Sequence, residues 1–345
     1  MRLRYFLCFL LAAAQLASAQ QKQAAAPDLP VDAAARHEVL EACATALERG
    51  YIFEEVAARM AQDLRDRETR GAYEGFTSSA AFARQVTEDL QSVSHDKHLR
   101  LFYRNDGGTE YAGASSDSAD EMARRARMQR EVNYGFERVE RLDGNVGYLE
   151  LRMLASTSPR AQEVAAAAMT FLAETDALII DLRRNGGGSP HMVAYLSSYL
   201  FDQRTHLNDL YWRERGRTDE FWTQEAVAGR RFGSTKPVFV LTSHSTFSGA
   251  EELAYNLQSL KRATIVGETT GGGAHPGGEE RVGEHFVLWI PRGRAINPVT
   301  KTNWEGTGVA PDVAVPADAA LEKARELART ASKQAILSQE IERPH

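Results

Sequence analysis

Ser248 and Gly249 stand at the mouth of an amphipathic helix, directly after an apolar strand-like run, in the stretch VFVLTSHSTFSGAEELAYNLQSL from Val238 to Leu260. A serine at that place has two readings. As an N-cap, its side-chain oxygen accepts a backbone N–H of the first helical turn. As a nucleophile, it sits where the helix dipole and the adjacent N–H groups stabilise negative charge developing on a carbonyl oxygen. A second stretch, ALIIDLRRNGGGSP, ends another apolar run with Asp181, Arg183, Asn185 and the consecutive glycines Gly186, Gly187 and Gly188. Such a run either makes a tight turn or presents bare N–H groups to an anion or oxyanion. It is not a phosphate loop, because no Gly-Lys-Ser/Thr follows, and the spacing of a dinucleotide fingerprint is missing.

Groups like these need a frame, and the surrounding sequence predicts an α/β one. FERVERLDGNVGYLELRML, from Phe136, places an Asp143-Gly144 turn between two strand-like runs, the signature of a hairpin. Strands and helices then alternate: an Ala-rich helix from about Arg160, ALIIDL, a helix after Pro190, VFVLTS, the helix after Ser248, ATIVG and FVLWIP. Continuous apolar strands in this alternation predict a sheet covered on both faces. Open α/β sheets gather functional groups beyond the carboxyl ends of their strands, where loops and helix N-termini converge. Upstream, Leu40, Cys43 and Leu47, then Phe53, Val56, Met60 and Leu64, then Phe82, Val86 and Leu90 form three helical stripes, with Thr77, Ser78 and Ser79 as capping candidates for the third. Leu99 to Tyr103 reads as a short strand, the Gly/Ser-rich segment from Asn105 as a loop, and about Asp318 to Glu340 as a polar closing helix.

Composition bounds the functional classes. The chain has 345 residues, 43% hydrophobic and 26% charged, which excludes fibrous and disordered classes. A net charge of -6 without a basic stripe argues against nucleic acid as a partner. The cluster Arg124, Arg125, Arg127 and Arg130 reads as a solvated helix face. MRLRYFLCFLLAAAQLASAQ combines a basic start, a short apolar run and Ala17-Ser18-Ala19, so it is expected to be a cleaved secretory signal. The mature protein is then expected in the periplasm or outside the cell, without stable membrane insertion. Loss of Cys8 with the signal leaves Cys43 alone, so neither an intramolecular disulfide nor a cysteine-rich metal site is expected.

Taken jointly and in order, SVSHDKHLRL, DLRRNGGG, TSHSTFSGAEELAYNLQ, VGETTGGGAHPGG and NWEGTGVAPDV resemble the tail-specific or C-terminal-processing serine peptidases, closest to their tricorn-like and interphotoreceptor-retinoid-binding-protein-like branch. The resemblance covers roughly residues 80 to 316. It implies a mixed-sheet α/β core of crotonase-like ββα type with an N-terminal helical bundle. It also implies Ser248 as nucleophile, His98 as general base, Glu305 as the carboxylate that orients the histidine, and Gly249 with Gly187 as oxyanion hole, Gly186 and Gly188 being the neighbouring alternatives. The set is chemically coherent, since a hydroxyl is a poor nucleophile until a base takes its proton and the imidazolium so formed favours a fixed carboxylate. His95, three residues before His98, is an alternative base outside the family register.

This chain departs from the family in three places. The position matching the lysine of serine-lysine members is Gly273, which excludes a lysine base there. Lys97 stands where tricorn-like enzymes place a serine before the histidine, and no convincing PDZ insertion separates LFY from the hairpin. His244 and His275 lie in the same loops, but no His-x-x-x-His or cysteine pairing supports zinc, so neither metal nor organic cofactor is expected. The expected organisation is a signal peptide at 1–19, a three-helix unit at 31–98, an α/β peptidase domain at 99–316 and a C-terminal helix and tail at 317–345. The expected function is an exported serine endopeptidase or C-terminal processing peptidase acting on peptides or proteins through an acyl-enzyme. The alternative is a non-catalytic carrier of apolar, retinoid- or lipid-like ligands on the same fold. A decayed site should have lost one of Ser248, His98 or Glu305, and all are present.

Overall fold

The computed structural model describes residues 28–104 and 119–341; the expected leader and most of the Gly/Ser-rich loop lie outside them. Three helices come first: α1 (Ala33–Gly50), α2 (Glu54–Thr69) and α3 (Ser79–Ser94). Asp32 caps α1 through the Ala35 N–H (2.8 Å) and Ser78 caps α3 through the Ala81 N–H (2.9 Å). Their stripes, including Leu40, Leu47, Met60, Leu64, Phe82 and Leu90, form one buried cluster. That cluster is shared with an antiparallel sheet of β1 (Arg100–Tyr103), β10 (Phe286–Pro291) and β9 (Gly277–Gly283), through Leu101, Val282, Leu288 and Ile290. The helices thus fasten the segment between α3 and β1 against a sheet from the far end of the chain.

The hub of the fold is a six-stranded sheet in the order β12 (Val313–Ala314), β8 (Thr264–Gly267), β7 (Val238–Thr242), β4 (Ala177–Asp181), β3 (Val146–Leu151), β2 (Phe136–Leu142). The β2–β3 hairpin is antiparallel and the other pairings are parallel. Leu178 and Ile180 of β4 join the cluster with α5 (Pro159–Leu172), α6 (Pro190–Ser197) and α7 (Gly249–Ser259), while Ala177 and Ile179 face Ala320, Ala324 and Ala328 of α8 (Ala320–Ile341). This alternation is the period-2 geometry of a strand buried on both faces. The fold is the expected mixed α/β core with N-terminal helices. A further helix, α4 (Ala119–Glu131), precedes β2.

Several strands were not legible in the sequence. β5 (His206–Trp212) and β6 (Arg217–Trp222) pair as a hairpin, joined at its edge by β11 (Gly293–Ile296). Asp209, Asp219 and Glu220 interrupt the apolar alternation there, because one side of this small sheet is not buried. β9, with the sequence GGEERVG, has poor strand propensity and is held by its register with β10. Among the described residues no helix is long and apolar enough to cross a membrane.

Candidate active site

Neighbouring parallel strands β4 and β7 release their loops on the same side of the sheet, and polar contacts join the two loops. The Phe247 N–H donates to Asn185 O (3.0 Å), the Thr246 hydroxyl to Leu182 O (2.8 Å) and the Ser243 hydroxyl to Arg183 O (2.5 Å). Asn185 is fully buried and its side-chain amide donates to Leu151 O (3.1 Å) on the next strand. At the end of this turn Ser248 adopts φ 54° and ψ -124°, a backbone that disfavours any side chain. The Ser248 N–H donates to Glu251 Oε2 (2.8 Å) one helical turn on. Buried Glu251 also accepts from the N–H groups of Gly272 (2.6 Å) and Gly273 (2.9 Å), so one carboxylate fixes both the serine and the 270–273 loop. From the sequence, Glu251 looks like an ordinary first-turn acid favoured by the helix dipole.

The glycine run packs directly on the serine. Gly187 has φ +108°, and a Cβ there would lie 2.7 Å from Ser248 Cβ and 2.9 Å from Gly249 N, so only glycine permits this approach. The Gly187 N–H, expected to face an oxyanion, donates instead to Asn185 Oδ1 (2.8 Å). The N–H groups of Gly188 and Gly249 engage no acceptor among the described residues. The flank of Gly186 is open.

His98 arrives from the α3–β1 segment. Its ring lies over that of Phe247, the residue before Ser248, with centroids 4.6 Å apart, and its Nδ1 is buried without a hydrogen-bond partner. Asp96 Oδ1 accepts the His98 backbone N–H (3.0 Å), and Asp96 Oδ2 pairs with His275 Nδ1 (2.7 Å) and accepts the Tyr51 hydroxyl (3.3 Å). Glu305 Oε2 accepts the Ala274 N–H (2.5 Å) and lies 3.5 Å from His275 Nδ1, while its Oε1 is buried and unpartnered. The structure thus brings His98 and Glu305 together beside the serine turn. His95 instead ends α3 in a left-handed cap, φ 58°, with an exposed side chain. His244 is exposed near Glu268 (3.8 Å). A Cβ on Gly273 would lie 2.3 Å from Phe247 Cζ and 2.7 Å from His98 Cε1, so the place of a lysine base is already filled by the histidine and its aromatic neighbour. The pairing of Asp96 with His275 is marked by no motif in the sequence, since 179 positions separate them.

Burial sets the proton affinities. It pushes His98 down to about 4, with nearby Asp96 opposing, so at neutral pH the imidazole is in its neutral, proton-accepting form. Burial, then the charge of Asp96, push Glu305 up to about 7, opposed by His275 and the Ala274 N–H. Asp96, His98 and Glu305 each bring a donor atom within 4.8 Å of the others, close enough to share a small cation. Asp96 already engages both oxygens, on the His98 N–H and on His275.

A serine held in a strained strand-to-helix turn, with a half-buried histidine and carboxylate beside it, is consistent with the layout of a serine hydrolase. Comparison with known proteins agrees with that class. The profile of Peptidase family S41 matches residues 145–315, and that of the N-terminal domain of Peptidase S41 in eukaryotic IRBP matches residues 26–139. A carboxy-terminal-processing protease of Bartonella bacilliformis is 28% identical over 187 residues, 51% of this chain and 40% of that one. The photosystem II D1 C-terminal processing protease is similar in structure, with a TM-score of 0.50 and 17% identity over 88% of this chain and 98% of that one. The tricorn protease gives a TM-score of 0.54 and 14% identity over 87% of this chain and 37% of its own. The chain spans less than half the length of the curated relatives it matches. It belongs to peptidase family S41, the serine-type peptidases that include the C-terminal processing proteases.

Proposed function

We propose that the protein is an exported serine endopeptidase that processes C-terminal segments of peptide or protein substrates through an acyl-enzyme. The observation that carries this reading is the meeting of three chain-distant segments at one turn: His98 on Phe247, Gly187 on Ser248, and Glu305 within reach of His98. In the proposed mechanism His98 takes the Ser248 proton as Oγ attacks the scissile carbonyl, and the N–H groups of Gly249 and Gly188 hold the oxyanion. His98 then returns the proton to the leaving amine, and water repeats the cycle to release the acyl group. Glu305, as an anion, orients the ring and offsets its positive charge.

A cleft of about 620 Å³ opens beside His98, with Lys97, Arg100 and His244 among its lining and Phe102, Phe247 and Trp289 as aromatic surfaces. Its cationic lining suits a substrate that ends in a carboxylate, although the chain as a whole is acidic. Carriage of an apolar ligand would call for an enclosed apolar chamber. The cavity walled by Leu149, Leu151, Met169, Leu196 and Leu253 has only about 10 Å³, less than one water. Export is proposed from the N-terminal leader, and N-terminal sequencing of the secreted protein tests it. For the activity, a fluorophosphonate probe should modify Ser248, and Ser248→Ala should lose both labelling and peptide hydrolysis, by ~10⁴-fold or more in kcat. Labelling elsewhere, or undiminished hydrolysis by the alanine variant, removes Ser248 from the mechanism.

A further inference from the structure

His275 touches neither the serine turn nor the cleft, and the mechanism above gives it no step. Yet it lies between two carboxylates, 2.7 Å from Oδ2 of the buried Asp96 and 3.5 Å from Oε2 of the half-buried Glu305, both through the same nitrogen, Nδ1. An ionised carboxylate only accepts, so Nδ1 must carry the proton in this arrangement. Its surroundings leave little other means of balancing the charge. Tyr51, at the end of α1, contributes a neutral hydroxyl to Asp96; Phe53 packs its ring edge-to-face on His275 with centroids 5.4 Å apart; and Glu251, from α7, adds negative charge. His98 is the other imidazole at hand, but burial keeps it neutral, and Lys97 and Arg100 line the cleft.

We propose that His275 is a positioning residue: fixed by Asp96, its imidazole supplies the positive charge that keeps the Glu305 carboxylate ionised and so fit to orient His98. Two carboxylates that share a buried site cannot both ionise readily without such compensation. Asp96 has a double part, because one oxygen holds the His98 backbone and the other holds His275. The inference rests on the peptidase reading for its effect on turnover, but the coupling of His275 to Glu305 can be measured without turnover.

The first test is the pH dependence of hydrolysis in His275→Gln, which keeps a donor toward Asp96 and removes the charge. Burial and Asp96 already push Glu305 up to about 7, so losing the opposing charge should hold it protonated to higher pH. The acid limb of kcat should move up by about one pH unit, with kcat at pH 6.5 lowered ~10-fold and the loss closing as pH rises. KM should change less than ~2-fold, because His275 makes no contact with the cleft. A loss equal at every pH, with the limb unmoved, would overturn the proposal and leave His275 a packing residue. If the variant does not fold, the reciprocal measurement decides. In Glu305→Gln, the midpoint of the His275 ring titration followed by NMR should fall relative to the parent, since coupling between two sites acts equally in both directions. An unchanged midpoint would overturn the proposal. Failure of the peptidase reading would instead leave the parent unlabelled and inactive, with the NMR comparison still able to support or reject the coupling.

Discussion

On one side of Ser248 the site is made of backbone, and on the other it is made of side chains. The glycine run and the serine turn meet through main-chain atoms, with the fully buried Asn185 as a clip and a positive φ at both Gly187 and Ser248. The base side is a chain of ionisable groups, Tyr51, Asp96, His275, Glu305 and His98, drawn from four distant stretches of sequence. A backbone-built donor has a fixed dipole and no protonation state, so it works alike at any pH. A relay of buried acids and imidazoles works only where its members hold the right protons. The serine turn should therefore contribute to the rate alike at every pH, whereas the relay should contribute to the rate and also set the pH at which that rate is reached.

Glu305→Gln is expected to have the largest effect of the variants that sharpen this contrast, lowering kcat by about 10² to 10⁴-fold. It should also abolish the acid limb near 7, because the group pushed up to about 7 is gone and His98, at about 4, titrates well below. A pH profile of hydrolysis that keeps its limb near 7 in this variant would assign that limb elsewhere. Gly187→Val comes next, at ~10²-fold, since its first side-chain atom would collide with Ser248 Cβ. Its kcat profile should run parallel to the parent's at every pH, and a shifted limb would break the division between the two sides. Tyr51→Phe should be the mildest, costing ~1 kcal/mol of stability through one lost hydrogen bond to Asp96, with kcat changed no more than ~3-fold. Thermal unfolding with a rate assay checks both parts.

The same division governs what could be read from the sequence. Glycines and a serine after apolar runs are local signals, because tight turns and strand ends impose composition on neighbouring residues, and so the Gly186–Gly188 loop and Ser248 stood out. The hairpin at Asp143-Gly144 and the strands β4 and β7 were legible for the same reason. His98 and Glu305 needed the family resemblance. The pairing of Asp96 with His275 stayed hidden, since a pair so far apart in sequence is defined only once the helical unit and the β9–β10 sheet close together. The direction of the Gly187 N–H was also beyond reach, because it depends on a side-chain oxygen of Asn185 two residues away.

The crowding at Gly273 bears on descent. Any side chain there would strike the His98 ring and Phe247, so the lysine of one branch and the histidine of the other claim overlapping volume. Carrying both bases would require the His98 and Phe247 rings to move aside. The small residue at this position is thus a condition for the histidine to occupy its place, and exchanging one base for the other involves position 273 and its two ring neighbours together.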